Sequence, residues 1–157
     1  MPTFAEEAPL PPPPPERVAR LEESFACKLP DDYLRFVREH NGAKLAQPGV
    51  RIAGDTVVIE RFLPIVANPQ SNPQGWADVA VVASQLDARL AASPDSAGFD
   101  LIPVAALFGG DFLVLDYRAG QQAAPSVAIW YHETSDEFAP DTKPVAASFA
   151  EFIDTLP

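Results

Sequence analysis

The stretch Leu29-Pro30-Asp31-Asp32-Tyr33-Leu34-Arg35-Phe36-Val37-Arg38-Glu39-His40-Asn41-Gly42 decides how this chain begins to fold. Proline restricts the residue before it and starts helices well, so Leu29-Pro30 ends one helix and opens another. Asp31 and Asp32 fall in the first turn, where the helix dipole favours negative charge. Tyr33, Phe36, Val37 and His40 form the inward stripe, and Asn41-Gly42 supplies a left-handed stop. Just upstream, Val18, Leu21 and Phe25 recur at i, i+3 and i+7 of a helix starting near Glu16, with Glu16 and Arg20 as a favourable outer pair. Two short amphipathic helices joined by a Leu-Pro turn are expected.

Downstream the period changes. Residues 56–59 and 61–63 read as a strand, or two with a break, ending at Pro64. Residues 68–75 hold turn formers and no apolar side chain, so they form a loop. A third helix is predicted with Ser84 as N-cap and Asp87 near its third position, carrying Leu86 and Leu90 inward and ending at Ser93-Pro94-Asp95. Three short β-branched or aromatic runs follow at 101–107, 112–117 and 127–131. Gly109-Gly110 separates the first two and residues 118–125 the last two. Ser148 and Glu151 have capping-box spacing, and Phe149, Phe152, Ile153 and Leu156 make a terminal amphipathic helix. The order predicts one α+β domain, with helices packed around a mostly antiparallel sheet.

Seven of the 18 prolines lie within the first 15 residues, including an unbroken run at 11–15. Residues 1–15 are read as a proline-rich arm and 16–157 as the domain. The arm is either a ligand for an SH3-like partner or a stiff lead-in packed along the domain. Arg17 is the nearest cation that could orient such a ligand. The first seven residues have neither a basic nor an apolar stretch, so a secretory leader is not expected. The longest apolar runs, such as 102–110, fall far short of the roughly 20 residues a membrane span needs. A chain of 157 residues can bury about 68–70% of its unfolded surface in one core. Its lone cysteine, Cys27, excludes an internal disulfide framework and points to a reducing compartment such as the cytoplasm. A net charge of −11 argues against direct nucleic-acid binding and against an anionic membrane surface.

Four segments stand in series. The first runs from Arg20-Leu21-Glu22 through Leu29-Pro30 to His40-Asn41-Gly42. The second is Gly109-Gly110-Asp111-Phe112-Leu113-Val114-Leu115-Asp116-Tyr117. The third is Val127-Ala128-Ile129-Trp130-Tyr131-His132-Glu133, and the fourth is the closing Ser148-Phe149-Ala150-Glu151-Phe152-Ile153. Together they resemble the SUKH superfamily, of the Smi/Knr cell-wall-assembly-regulator type. Ala43 stands where the family often has a second glycine, and residues 67–75 look particular to this chain. The resemblance implies a binding module rather than an enzyme. Its bacterial members are mostly regarded as immunity proteins that neutralise a toxin domain, often a nuclease. It brings no catalytic residues.

The residues themselves offer little for catalysis. His40 and His132 are the only side chains that could act as an unperturbed base near pH 7. His40 sits on the helix stripe and suits a capping or core-edge role. His132-Glu133 with Asp136 and Glu137 has metal-ligand residue types, suiting Mn²⁺ or Mg²⁺. Strand alternation, however, sends His132 and Glu133 to opposite faces. Gly109-Gly110 precedes a strand and an acid rather than a helix N-terminus, so it reads as a turn and not as a phosphate cradle. Cys27, between Phe25 and Leu29, reads as a partly buried thiol. No cofactor is expected.

Charge is more informative. Residues 1–61 carry a net −2, whereas residues 62–157 carry −9 with only three basic side chains. Asp111, Asp116, Glu133, Asp136, Glu137 and Asp141 lie close in sequence to Tyr117, Trp130, Tyr131 and Phe138. Acids among aromatics are the ingredients of a surface that steers and then anchors a basic partner. The expected protein-binding set is therefore Asp111, Asp116, Tyr117, Trp130, His132, Glu133, Asp136 and Glu137, facing a basic toxin domain. A regulatory module for an endogenous protein, a solvated acidic face and a metal-assisted enzyme on His132 are the alternatives.

Overall fold

A computed structural model describes residues 2–5, 9–96, 99–120 and 123–157. The readings of the first seven residues and of the 118–125 connection therefore fall partly on residues outside those described.

The expected helix pair forms. Helix α1 is Pro15–Phe25, with proline at its first position, and α2 is Asp31–His40. Leu21, Phe25, Tyr33, Phe36 and Val37 are buried, as the stripes require. Between the helices, the amide of Leu29 donates to Glu22 Oε2 at 2.8 Å. Gly42 takes the left-handed stop, with φ 73°. Asn41 does more than help terminate the helix. It is 1% exposed; its Nδ2 donates to Pro11 O and Ile65 O, and its Oδ1 accepts the Ile65 amide. One buried amide side chain thus joins the arm, the helix and the chain after the second strand.

Six strands pair in sequence order, every neighbour antiparallel: β1 (Gly49–Ile52), β2 (Asp55–Phe62), β3 (Leu101–Leu107), β4 (Phe112–Asp116), β5 (Ser126–Trp130) and β6 (Thr142–Ala146). Strands β2 to β5 follow the expected runs. β1 and β6 were not anticipated. A two-residue turn closes the β1–β2 hairpin, with Ala53 and Gly54 both at positive φ, 51° and 87°. Alanine at a left-handed position masked that turn. β6 contains Pro144, which an edge strand tolerates because its outward N–H would have no ladder partner.

The third helix corrects the expectation. α3 is Val79–Leu86 and its N-cap is Asp78, whose carboxylate accepts the Ala80 amide at 2.8 Å. Ser84 lies inside it, with its hydroxyl donating to Val81 O. A short 3-10 turn, Asp87–Leu90, follows and buries Leu90. The buried carboxylate wins as cap because it satisfies several donors at once, where Ser84 would satisfy one. Helix α4 is Phe149–Asp154, with Ser148 capping the Glu151 amide as expected. The Asp32 carboxylate of α2 also reaches the Ala150 amide at 2.9 Å.

Two rows of cross-strand partners define the two sides of the sheet. Phe62, Ala105, Leu113 and Ile129 run along one side, and Arg61, Ala106, Phe112 and Trp130 along the other. The first side lies under α2 and α4: the Phe36 ring is 4.7 Å from that of Phe62 and 5.2 Å from that of Phe149. On the second side α3 packs on β3, and Arg89 lies over Trp130. The sheet curls strongly enough for its opposite edges to meet, Lys143 Nζ of β6 lying 2.7 Å from Asp55 Oδ2 at the hairpin. That contact holds the Asp55 carboxyl below its ordinary pKa.

The arm is fastened to the domain. The Ala5 amide donates to Lys44 O and the Ala46 amide to Thr3 O, while Phe4 stacks on His40 with ring centroids 4.1 Å apart. Pro13 is buried. Arg17 turns inward, its Nε donating to Val66 O and its Nη2 lying 3.1 Å from Asp78 Oδ1. The cation on which a proline-ligand reading would depend is thus spent inside the fold. Among the described residues no helix is long and apolar enough to cross a membrane.

Candidate functional site

The row Phe112, Trp130 and Thr142 marks one end of strands β4 to β6. Beyond it lie the β3–β4 turn and the loop joining β5 to β6. The turn is tight, as predicted: Gly109 and Gly110 have φ 95° and 97°, and the Leu107 amide donates to Asp111 O. Asp111 Oδ1 accepts the His132 amide and lies 2.9 Å from His132 Nδ1, so one carboxylate fixes both the backbone and the ring of His132. Glycine suits position 110 because its φ of 97° strains any other residue, and a Cβ would also stand a tight 3.1 Å from that ring nitrogen.

The β5–β6 loop is built rather than slack. Ser135 is 5% exposed and its hydroxyl accepts the Asp141 amide at 2.8 Å. Thr134 donates to Asp141 Oδ2 at 2.6 Å. Asp136 and Ala139 exchange backbone hydrogen bonds at 3.1 and 3.0 Å, and the Phe138 amide donates to Ala88 O. Arg89 underpins the loop by donating to His132 O and Ser135 O. Its guanidinium lies 4.9 Å from the Trp130 ring, and Trp130 Nε1 donates back to Arg89 O at 3.1 Å. Glu133, Asp136 and Glu137 are held exposed on this frame.

Of the eight residues expected to meet a partner, the structure gathers five at this end: Asp111, His132, Glu133, Asp136 and Glu137. Asp116 stands apart at the other end of β4, neutralised by Arg118 at 2.7 Å. Tyr117 and Trp130 are corrected by burial, being 2% and 0% exposed. Tyr117 donates its hydroxyl to Lys28 O at 2.6 Å, which ties β4 to the helix pair, and burial pushes its pKa well above the ordinary value. Neither ring can touch a partner. The exposed aromatics beside the acids are Phe138, 38% exposed on the loop itself, and Phe108, one residue past β3 and 73% exposed, which was not among the expected residues. Its signal was an apolar residue directly before a glycine pair, where turn chemistry calls for a polar one.

Other candidates resolve into packing. Among the described residues no group of three or more His, Cys, Asp and Glu side chains is placed to hold a metal ion. His40 is a core-edge residue between the rings of Phe4 and Phe36. Cys27 is 7% exposed, and burial pushes its thiol up to about 11. Native protein at pH 8 is therefore expected to react with a disulfide reagent at least about 100-fold more slowly than unfolded protein, equal rates refuting the assignment. Because the folded thiol ionises later than the unfolded one, its contribution to stability is present below about pH 8.5 and is lost as pH rises toward 11.

No curated protein and no solved structure matches the chain. Residues 12–155 match the model of the SMI1 / KNR4 family (SUKH-1). That match runs from the proline run through the helix pair and the whole sheet into α4, so this chain belongs to the SMI1/KNR4 family.

Proposed function

We propose that the protein is a non-catalytic binding module of the cytoplasm, an immunity protein that covers and neutralises a basic toxin domain. The observation that carries this reading is the β5–β6 loop. It presents Glu133, Asp136 and Glu137 to solvent on a frame fixed by Arg89, Ser135 and Asp141. No lysine or arginine among the described residues forms an ion pair with any of the three. Exposed acids held in place act on encounter, since their field steers a cationic surface without a cost for ordering the loop. Family membership supports a protein-binding role, and Asp111 with His132 borders the same end.

The direct test is co-expression with the product of the adjacent reading frame, scored for toxicity on its own, for rescue of growth and by pull-down. Absence of both rescue and complex would sink immunity for that pair, and a complex without rescue would favour a regulatory role. Within such a complex, Asp136→Lys together with Glu137→Lys is expected to slow association about tenfold or more at low ionic strength, with a smaller effect at high salt. Stopped-flow mixing reads this directly. An unchanged on-rate at both ionic strengths would remove the loop from the interface.

A further inference from the structure

Four large apolar side chains stand exposed among the described residues, and three of them border one region: Trp76 at 67%, Phe108 at 73% and Val58 at 39%. The Phe108 amide donates to Val58 O, joining β2 to the β3–β4 turn. Alternation from Ala106 sets Phe108 on the same side as Ala106 and Phe112, which are only partly buried. Arg61 pairs with Ala106 in that row, and its guanidinium lies 5.8 Å from the Trp76 ring. At this corner the helical cover that α3 and Arg89 give to the rest of the face is missing.

Trp76 is displayed by a stiff loop. A Cβ on Gly75 would fall 1.8 Å from Pro69 O, so the chain crosses itself where only glycine fits. Asn68 and Asn72 accept the amides of Gln70 and Gln74, and Arg61 Nη2 donates to Gln74 Oε1 at 2.7 Å. An aromatic held rigidly in water has already met part of the entropy cost of binding, which is a property of interface anchors.

We infer that the uncovered sheet corner formed by Val58, Phe108 and Phe112, bordered by Trp76, is a docking face for a protein surface with an apolar centre ringed by basic side chains. The charge around it selects that occupant. Glu60 is exposed on the β2 bulge, Asp111 shares the β3–β4 turn with Phe108, and Glu133 follows the His132 that Asp111 holds. Of the nearby cations, Arg51 donates to its own hairpin at Gly54 O and Arg61 lies beneath Trp76. A second copy of the chain would bring like-charged rims together at a net −11 each, whereas a basic surface would be attracted to the rim and bury its apolar centre. The inference rests on the binding-module reading and gives it an anchor.

The probe is a short amphipathic leucine–lysine helix, compared with a lysine–glycine peptide of equal charge. The chain has two tryptophans and Trp130 is fully buried, so Trp76 reports contact. The amphipathic peptide should shift the emission to the blue, Trp76→Phe should abolish the shift, and Phe108→Ser should weaken binding about tenfold. The inference is overturned if no shift occurs, if Phe108→Ser binds as wild type does, or if the lysine–glycine peptide gives the same shift. A dimer in sedimentation that Phe108→Ser dissolves would also overturn it, assigning the face to self-association. A positive peptide result with failed growth rescue would sink immunity alone. Rescue that survives Phe108→Ser and Trp76→Ala would sink this face alone.

Discussion

Replacing Asp78 with alanine is expected to lower the free energy of unfolding by about 3–5 kcal/mol, a third or more of the stability of an ordinary domain. Asp78 is 0% exposed, and its two carboxylate oxygens accept the Ala80 amide, the Val66 amide and the Arg17 guanidinium. Alanine would therefore remove the N-cap of α3, orphan a buried amide and leave the Arg17 side chain, 12% exposed, without its counter-charge. The last of these dominates, because an uncompensated charge in the interior costs more than a lost neutral hydrogen bond. The pair can be separated from the cap by a double-mutant cycle in urea. Arg17→Met alone leaves a buried carboxylate, and the double variant Arg17→Met with Asp78→Ala leaves neither charge, so it should be less destabilised than the sum of the two single variants. A loss below about 1 kcal/mol for Asp78→Ala would show that water reaches this ion pair freely.

That carboxylate also shows where the sequence could and could not be read. By composition Asp78 was one of the acids giving the second half its −9, yet it belongs to the interior and contributes nothing to a surface field. The helix pair, β3 to β5 and α4 were legible because period, proline, glycine and cap signals agree locally. The start of α3 was not, since Val79, Val81 and Val82 are modest helix formers and the residue that starts the helix is fixed by tertiary partners at Val66 and Arg17. β1 and β6 are short edge strands, one hidden by an alanine at positive φ and the other by a proline. The acidic end of the sheet was legible for a simple reason. Residues 132–141 are contiguous, and an antiparallel ladder that pairs Phe112 with Trp130 sets Asp111 opposite Tyr131, one residue from the His132 that its carboxylate holds. The burial of Trp130 was not legible, because β5 is covered on both faces and its sequence gives no alternation of inside and outside.

Trp130→Ala should cost a comparable amount, about 3–5 kcal/mol, and should reach the candidate site as well as the core. The indole fills the interior with its ring 6.1 Å from Phe112, donates to Arg89 O, and forms the surface on which the Arg89 guanidinium lies. Arg89 in turn holds His132 O and Ser135 O, so loss of the ring removes the floor on which the β5–β6 loop is built. Trp130→Phe keeps most of the apolar burial and removes the indole donor, leaving Arg89 O without that bond at a cost of about 1–2 kcal/mol. At that cost this milder variant is expected to stay folded, which separates loop order from global stability. In it, amide exchange at Phe138 and Asp141, whose N–H groups donate to Ala88 O and Ser135 Oγ, should quicken more than exchange at strand positions such as Leu113. Uniform quickening would mean that Trp130 stabilises the whole sheet without specially supporting the loop. If the loop steers a basic partner, Trp130→Phe should bind it more weakly while the net charge is unchanged, because looser acids must be ordered on contact. An undiminished affinity alongside faster loop exchange would show that the field of these acids matters and their fixed geometry does not.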